Sequence, residues 1–230
     1  IPKTKGESSP IDWVGIALIF LGIGALQLFL DQGNMKGWFS SHYILCLAIT
    51  SCVAITLLII WSLTTSQPAI QLRLFKNRNF RLAVMCLTIF CGIQFSLLTL
   101  EPIMLLQLFG YTSTLAGITL MPMGVCSGIS VALCSNLLNR VKIKYIILAG
   151  CCLGITGIHY LSTMTLEATQ TDFLIGNAIM GFGMGFIMVP LSVYALANLP
   201  QDKITDGAGL YSYGRMLGTS VGISIFNTLL

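Results

Sequence analysis

The chain has 230 residues, of which 55% are hydrophobic and only 9% charged, against about a quarter charged in an ordinary soluble domain. So little charge cannot cover a water-soluble fold of this length, and a net charge of +4 gives no reason to expect nucleic acid as a partner. The apolar residues arrive in blocks of about twenty or more, long enough to cross a hydrocarbon core of roughly 30 Å as helix. Barrel strands would alternate and be about ten residues long, and lipid forces every backbone group to pair internally. The expected fold class is therefore all-α, a polytopic transmembrane helical bundle.

In chain order, IPKTKGESSP at residues 1–10 reads as a cytoplasmic linker without the charged start and cleavage site of a signal peptide. Two spans follow, Ile11–Leu30 and Tyr43–Leu63, as a helix pair over 11–63, and residues 64–81 form a basic cytoplasmic loop. Five further spans, Phe80–Phe109, Thr114–Leu138, Tyr145–Thr165, Phe173–Asn198 and Gly207–Leu230, place a bundle over 82–230. Alternate loops carry the basic residues: Lys3 and Lys5; Arg73, Lys76, Arg78 and Arg81; Arg140, Lys142 and Lys144; Lys203. The loops between carry Lys36 alone. Cytoplasmic loops hold the Lys and Arg excess, so the pattern puts the N-terminal segment in the cytoplasm and makes the positive charge a topology signal. The chain starts on Ile1 and stops on an apolar NTLL, which reads as a fragment of a longer membrane protein, with a complete seven-helix protein as the alternative.

The stretch TLEPIML holds the one acid well inside an apolar span, Glu101. A charge at the bilayer centre costs about 2.5–3.5 kcal/mol on insertion scales, so such residues usually face a cavity or a partner and serve function. A proton-linked cavity carboxyl is one reading. The other is a carboxylate that meets water about 13 Å below the helix end at Gly110, by the 1.5 Å rise per residue, with no coupling role. Gln94 lies at i−7 on nearly the same face and is the expected polar neighbour, while helix-to-helix hydrogen bonding is its alternative. Arg215 is the second intramembrane charge, read as a gate or structural charge, a snorkelling side chain or a direct substrate contact. Gln27, Asn136, His159, Asn177 and Asn227 are the other polar residues within spans.

Pro102, Pro122 and Pro190 fall inside spans, where proline removes a backbone bond and bends the helix; each is either a bend point or tolerated in a packed helix. Gly124 and Gly128, Gly150 and Gly154, Gly181 and Gly185, and Gly218 and Gly222 form small-xxx-small pairs, which let helices approach closely in lipid. The eight cysteines all fall in spans and read as small buried hydrophobes, without metal spacing. GFGMGF at Gly181–Phe186 lacks the preceding strand of a nucleotide fingerprint. HExxH does not occur, no Walker A motif is present, and every lysine lies in a loop or tail, where it cannot hold a retinal. An enzyme is not expected, nor a metal or other cofactor.

LDQGNMKGWFSS at Leu30–Ser41, LFKNRNF at Leu74–Phe80, GYTSTLAGITLMPMG at Gly110–Gly124, GFGMGFIMVPL at Gly181–Leu191 and GRMLGTSVGISIFNTLL at Gly214–Leu230 occur in an order that resembles EmrB/QacA-like drug:proton antiporters. These are the fourteen-span branch of the major facilitator superfamily. The resemblance implies that spans one and two are the extra central pair and spans three to seven the first five helices of the C-terminal bundle, with the N-terminal bundle and final helix missing. It implies proton-coupled efflux of lipophilic or cationic drugs across a bacterial inner membrane by alternating access, with the proton as coupling ion. Glu101 and Gln94 would then line the proton and substrate cavity, Arg215 would be an interbundle or gate charge, and the prolines would be bends. A periplasmic adaptor and outer-membrane channel join EmrB-like systems. The competing reading is a stand-alone seven-helix protein without transport activity, or an inactive truncated remnant.

Overall fold

The computed structural model describes residues 12–33, 35–65, 70–165, 167–197 and 199–229, without the side chains of Asp202 and Leu229. The expected linker at 1–10, with Lys3 and Lys5, lies outside the described residues. Within them, seven long helices account for the architecture: α1 (Trp13–Gly33), α2 (His42–Thr64), α3 (Arg78–Gln107), α4 (Ser113–Leu137), α5 (Ile143–Ser162), α6 (Gln170–Ala197) and α7 (Ile204–Leu229). Each corresponds to one expected span, with ends displaced by a few residues.

Among the described residues, α1 to α6 are long and apolar enough to cross a membrane. The seventh departs from expectation in composition and not in length. Its 26 residues include Asp206, Arg215 and a series of Gly, Ser and Thr, so it depends on neighbouring helices more than on lipid, and it packs along α3.

Local chemistry explains the helix limits. The Asn77 side chain accepts from the backbone N–H groups of Asn79 at 3.0 Å and Phe80 at 3.5 Å, capping the first turn of α3. Thr112 caps α4 through Leu115 N at 3.3 Å. Gly110, with φ of +65°, turns the chain between these helices in a conformation that favours glycine. In the α1–α2 turn the Lys36 ammonium lies 4.2 Å from the centre of the Tyr43 ring, a cation–π contact.

Helix pairing follows the glycines. A Cβ on Gly218 would collide with the Thr88 carbonyl and one on Gly222 with Gly92, so α3 and α7 run side by side in parallel with backbones nearly touching. A Cβ on Gly181 would strike the Met123 backbone and one on Gly185 the Ser130 side chain, which sets α6 against α4. The antiparallel α5–α6 contact runs through Gly150 against Phe186, Gly154 against Gly183 and Gly157 against Met180. Gly124 and Gly128 differ from the other pairs. Both are exposed, and a Cβ built on either meets nothing within 4 Å. The reason is the facing of α4: its buried stripe is Ala116, Thr119, Met123, Ser130 and Cys134, and the two glycines lie off that stripe.

These directions gather the starts of α3, α5 and α7 and the end of α4 at one basic end, with Arg73, Lys76, Arg78, Arg81, Arg140, Lys142, Lys144 and Lys203 around it. Two apolar clusters make the interior. The larger fills the basic half with Ile19, Leu58, Leu74, Phe80, Leu87, Ile187, Leu191 and Leu210, tying the α1–α2 hairpin to α3, α6 and α7. The smaller closes the far end with Leu105, Ala116 and Phe173. Between them, on α3, lies a layer of buried polar residues.

Candidate functional site

The layer occupies two turns of α3. Gln94, Ser96 and Glu101 are buried there, with Gln94 and Glu101 toward α4 and α6, where Thr119 and Asn177 have no exposed surface. Glu101 keeps only 9% of its surface exposed. The Asn177 Nδ2 group donates to Glu101 Oε1 at 2.6 Å and to the backbone oxygen of Thr119 at 3.3 Å. One amide thereby joins α3, α4 and α6, and a hydrogen bond to a carboxylate is stronger than one between neutral groups. The other end of that amide is unmatched: Asn177 Oδ1 is buried and has no hydrogen-bond partner among the described residues. Buried polar atoms are nearly always paired, so this acceptor marks a place where a second hydrogen-bond arrangement is available.

Glu101 also borders a cavity of about 650 Å³ between α3, α5 and α6, walled by Leu97, Leu100, Met104, Ile158, Leu161 and Phe173. It is an apolar space with one carboxyl at its edge, within the size range of small-molecule sites.

Gln94 does lie on the Glu101 face, but the structure does not join the two. The Gln94 amide points to the Met123 sulfur at 3.9 Å, and the partner of Glu101 is Asn177. Two turns along a helix are about 10 Å, beyond the reach of a direct bond. Sequence reasoning placed Asn177 only among the polar residues within spans and passed over Thr119. A signal was present: Asn177, Gly181 and Gly185 recur at i, i+4 and i+8, so the glycines that identify the α4-facing stripe of α6 carry Asn177 with them.

Arg215 borders a different space. It is exposed on α7, beside a second cleft of about 630 Å³ bordered by Gln27 of α1 and Phe95 of α3. Thr88 donates to the Gly214 carbonyl at 3.0 Å, which sets Arg215 level with the basic half of α3. Pro102, Pro122 and Pro190 all lie inside helices that continue past them. Among the described residues no three His, Cys, Asp or Glu side chains gather as a metal site. His159 is exposed on the last turn of α5, away from the layer.

The Major Facilitator Superfamily profile matches residues 12–223. The chain is 32% identical over 236 aligned positions to the multidrug export protein EmrB of Escherichia coli, covering 99% of this chain and 44% of that protein. It is 34% identical to EmrB of Haemophilus influenzae, over 94% of this chain and 42% of that protein. It is 31% identical to the fatty acid resistance protein FarB of Neisseria gonorrhoeae, over 99% of this chain and 45% of that protein. The chain thus spans less than half the length of the curated relatives it matches.

Proposed function

Because this chain belongs to the major facilitator superfamily and is an integral membrane protein, we propose that it forms part of a proton-driven exporter of lipophilic or cationic drugs. The observation that carries the reading is the Asn177 to Glu101 hydrogen bond of 2.6 Å, buried between helices and beside an apolar cavity. With the carboxyl ionised, Asn177 gives both N–H groups away, to Glu101 and Thr119, and its oxygen goes without a donor. With the carboxyl protonated, its O–H can donate to that oxygen once the amide turns over, and the bond to α4 is given up. One proton therefore changes which helices the layer holds together, which is what coupling requires.

In this reading the five helices from α3 to α7 rock against an N-terminal bundle carried elsewhere in the same protein, about a cavity near the midplane. Residues 11–63 are the extra central pair, 64–81 a cytoplasmic loop and 82–230 the bundle. Pro102, Pro122 and Pro190 are bend points, Gln94 extends the polar lining, and Arg215 is a gate or interbundle charge. The basic end faces the cytoplasm of a bacterial inner membrane, and an adaptor with an outer-membrane channel is the expected assembly. The names of the relatives, two multidrug export proteins and a fatty acid resistance protein, support export of lipophilic compounds.

The test is dye efflux from proteoliposomes holding the full-length protein under an imposed pH gradient, comparing wild type with Glu101→Gln. The glutamine oxygen still accepts from Asn177, so the variant folds, but it takes up no proton, and gradient-driven efflux is expected to vanish. Efflux equal to wild type removes Glu101 from the coupling step.

A further inference from the structure

Two side chains one turn apart on α7, Tyr211 and Arg215, each lack what the other can supply. Arg215 is eleven residues on from Ile204, about 17 Å along α7 from its start, and so deep within a hydrocarbon core of roughly 30 Å. A guanidinium does not lose its proton in a protein, and a charge at that depth must meet water or a polar partner. Among the described residues the Arg215 side chain makes neither an ion pair nor a hydrogen bond, and it stands at the edge of the second cleft. The Tyr211 hydroxyl is buried and has no hydrogen-bond partner among the described residues, although buried polar atoms are nearly always paired.

The helix brings one within reach of the other. Residues four apart have Cβ atoms about 6 Å from each other, and helical side chains lean toward the N-terminus, so Arg215 extends back over Tyr211. That is also the direction of the basic end, toward which a long cationic side chain snorkels. The Arg215 charge acts on the Tyr211 hydroxyl and on the Cys91 thiol of α3, which places it near both, yet it bonds neither. The backbone between the two residues is held. Thr88 donates to the Gly214 carbonyl at 3.0 Å, and a Cβ on Gly214 would press into Val84 and one on Gly218 into the Thr88 carbonyl. Movement at this level therefore belongs to the Arg215 side chain. A phenol oxygen accepts as well as donates, whereas a guanidinium only donates, so the two are matched as donor and acceptor.

We propose that Tyr211 is an internal seat for Arg215: when the cleft between α1 and α7 closes and loses its water, the guanidinium turns out of the cleft and donates to the Tyr211 oxygen. The proposal rests on the export reading above and adds a positioning residue to it. In the state described here the charge faces the cleft and the hydroxyl is unpaired. In the seated state the hydroxyl is satisfied and the cleft holds no bare charge. Each arrangement satisfies what the other leaves open, so Tyr211 sets how readily the cleft closes over a fixed cation.

The experiment follows the reaction of Thr219→Cys, on the cleft wall, with a water-soluble maleimide in the full-length, otherwise cysteine-free protein, with Lys144→Cys as the control outside the cleft. Tyr211→Phe keeps the ring and removes only the hydroxyl. It disfavours the closed state, so Thr219→Cys is expected to react roughly threefold faster or more while Lys144→Cys is unchanged. In an Arg215→Gln background the neutral side chain needs no seat, and Tyr211→Phe should then make no difference. An unchanged rate in Tyr211→Phe, or the same acceleration with and without Arg215, overturns the proposal. Dye efflux by the same proteins separates the two readings. A rate that depends on Tyr211 through Arg215 in a protein that exports no dye retains the seat and removes the export reading. Dye export with a rate indifferent to Tyr211 does the reverse.

Discussion

At the residue scale the protein depends on Asn177. A leucine there fills a similar volume but leaves Glu101 buried without its donor. Stranding a buried polar group costs about 1–3 kcal/mol, so Asn177→Leu is expected to lower thermal stability in detergent by several degrees. The double variant Glu101→Leu with Asn177→Leu removes both polar groups and should recover most of that loss, because matched apolar replacement can be nearly neutral. A double variant that is merely the sum of its parts would show that the two side chains do not interact. Thr88 offers a smaller test. Its hydroxyl donates to Val84 O at 2.9 Å and to Gly214 O at 3.0 Å, and an interhelical bond in lipid is worth about 0.6 kcal/mol on average. Thr88→Val should therefore shift unfolding only slightly.

At the scale of elements, the glycines separate into two sets with opposite expectations. Gly218→Ala drives a methyl into the Thr88 carbonyl and Gly181→Ala drives one into the Met123 backbone. Overpacking of this kind costs about 1–3 kcal/mol, and both variants should show reduced folded yield by size-exclusion chromatography. Gly124→Ala and Gly128→Ala enter open space and should match wild type within about 0.5 kcal/mol. The contrast shows where reading from sequence stops. The positions of α1 to α6 were legible because apolar length alone determines them, and Glu101 and Arg215 stood out as charges in apolar surroundings. All four glycine pairs looked alike, because i, i+4 spacing says that a face exists and nothing about what lies opposite. Gln94 was read as a polar neighbour of Glu101 from one shared helix face, which says nothing about the hydrogen-bond partner of the carboxyl, 76 positions away on α6. Such a pairing arises from the crossing of α3 and α6 and has no local signature.

At the scale of the whole molecule, the alternating basic loops lead to a directional expectation. With single cysteines in an otherwise cysteine-free background, Lys36→Cys should react with an impermeant maleimide added outside intact cells, and Lys144→Cys should react only after the cells are opened. The opposite result would invert the orientation of every helix. The same arrangement puts the polar layer off centre. Glu101 is 23 residues from the start of α3 at Arg78 and six from its end at Gln107, or roughly 35 Å and 9 Å of helix. If α3 pivots at its bond to Asn177, it is a lever with unequal arms. A tilt of about 10° carries the basic tip roughly 6 Å and the far tip less than roughly 2 Å, by the same rise per residue. A protonation event near one face of the membrane is then amplified into a displacement at the other, and spin labels at Arg78 and Gln107 would report movements in a ratio of about four to one.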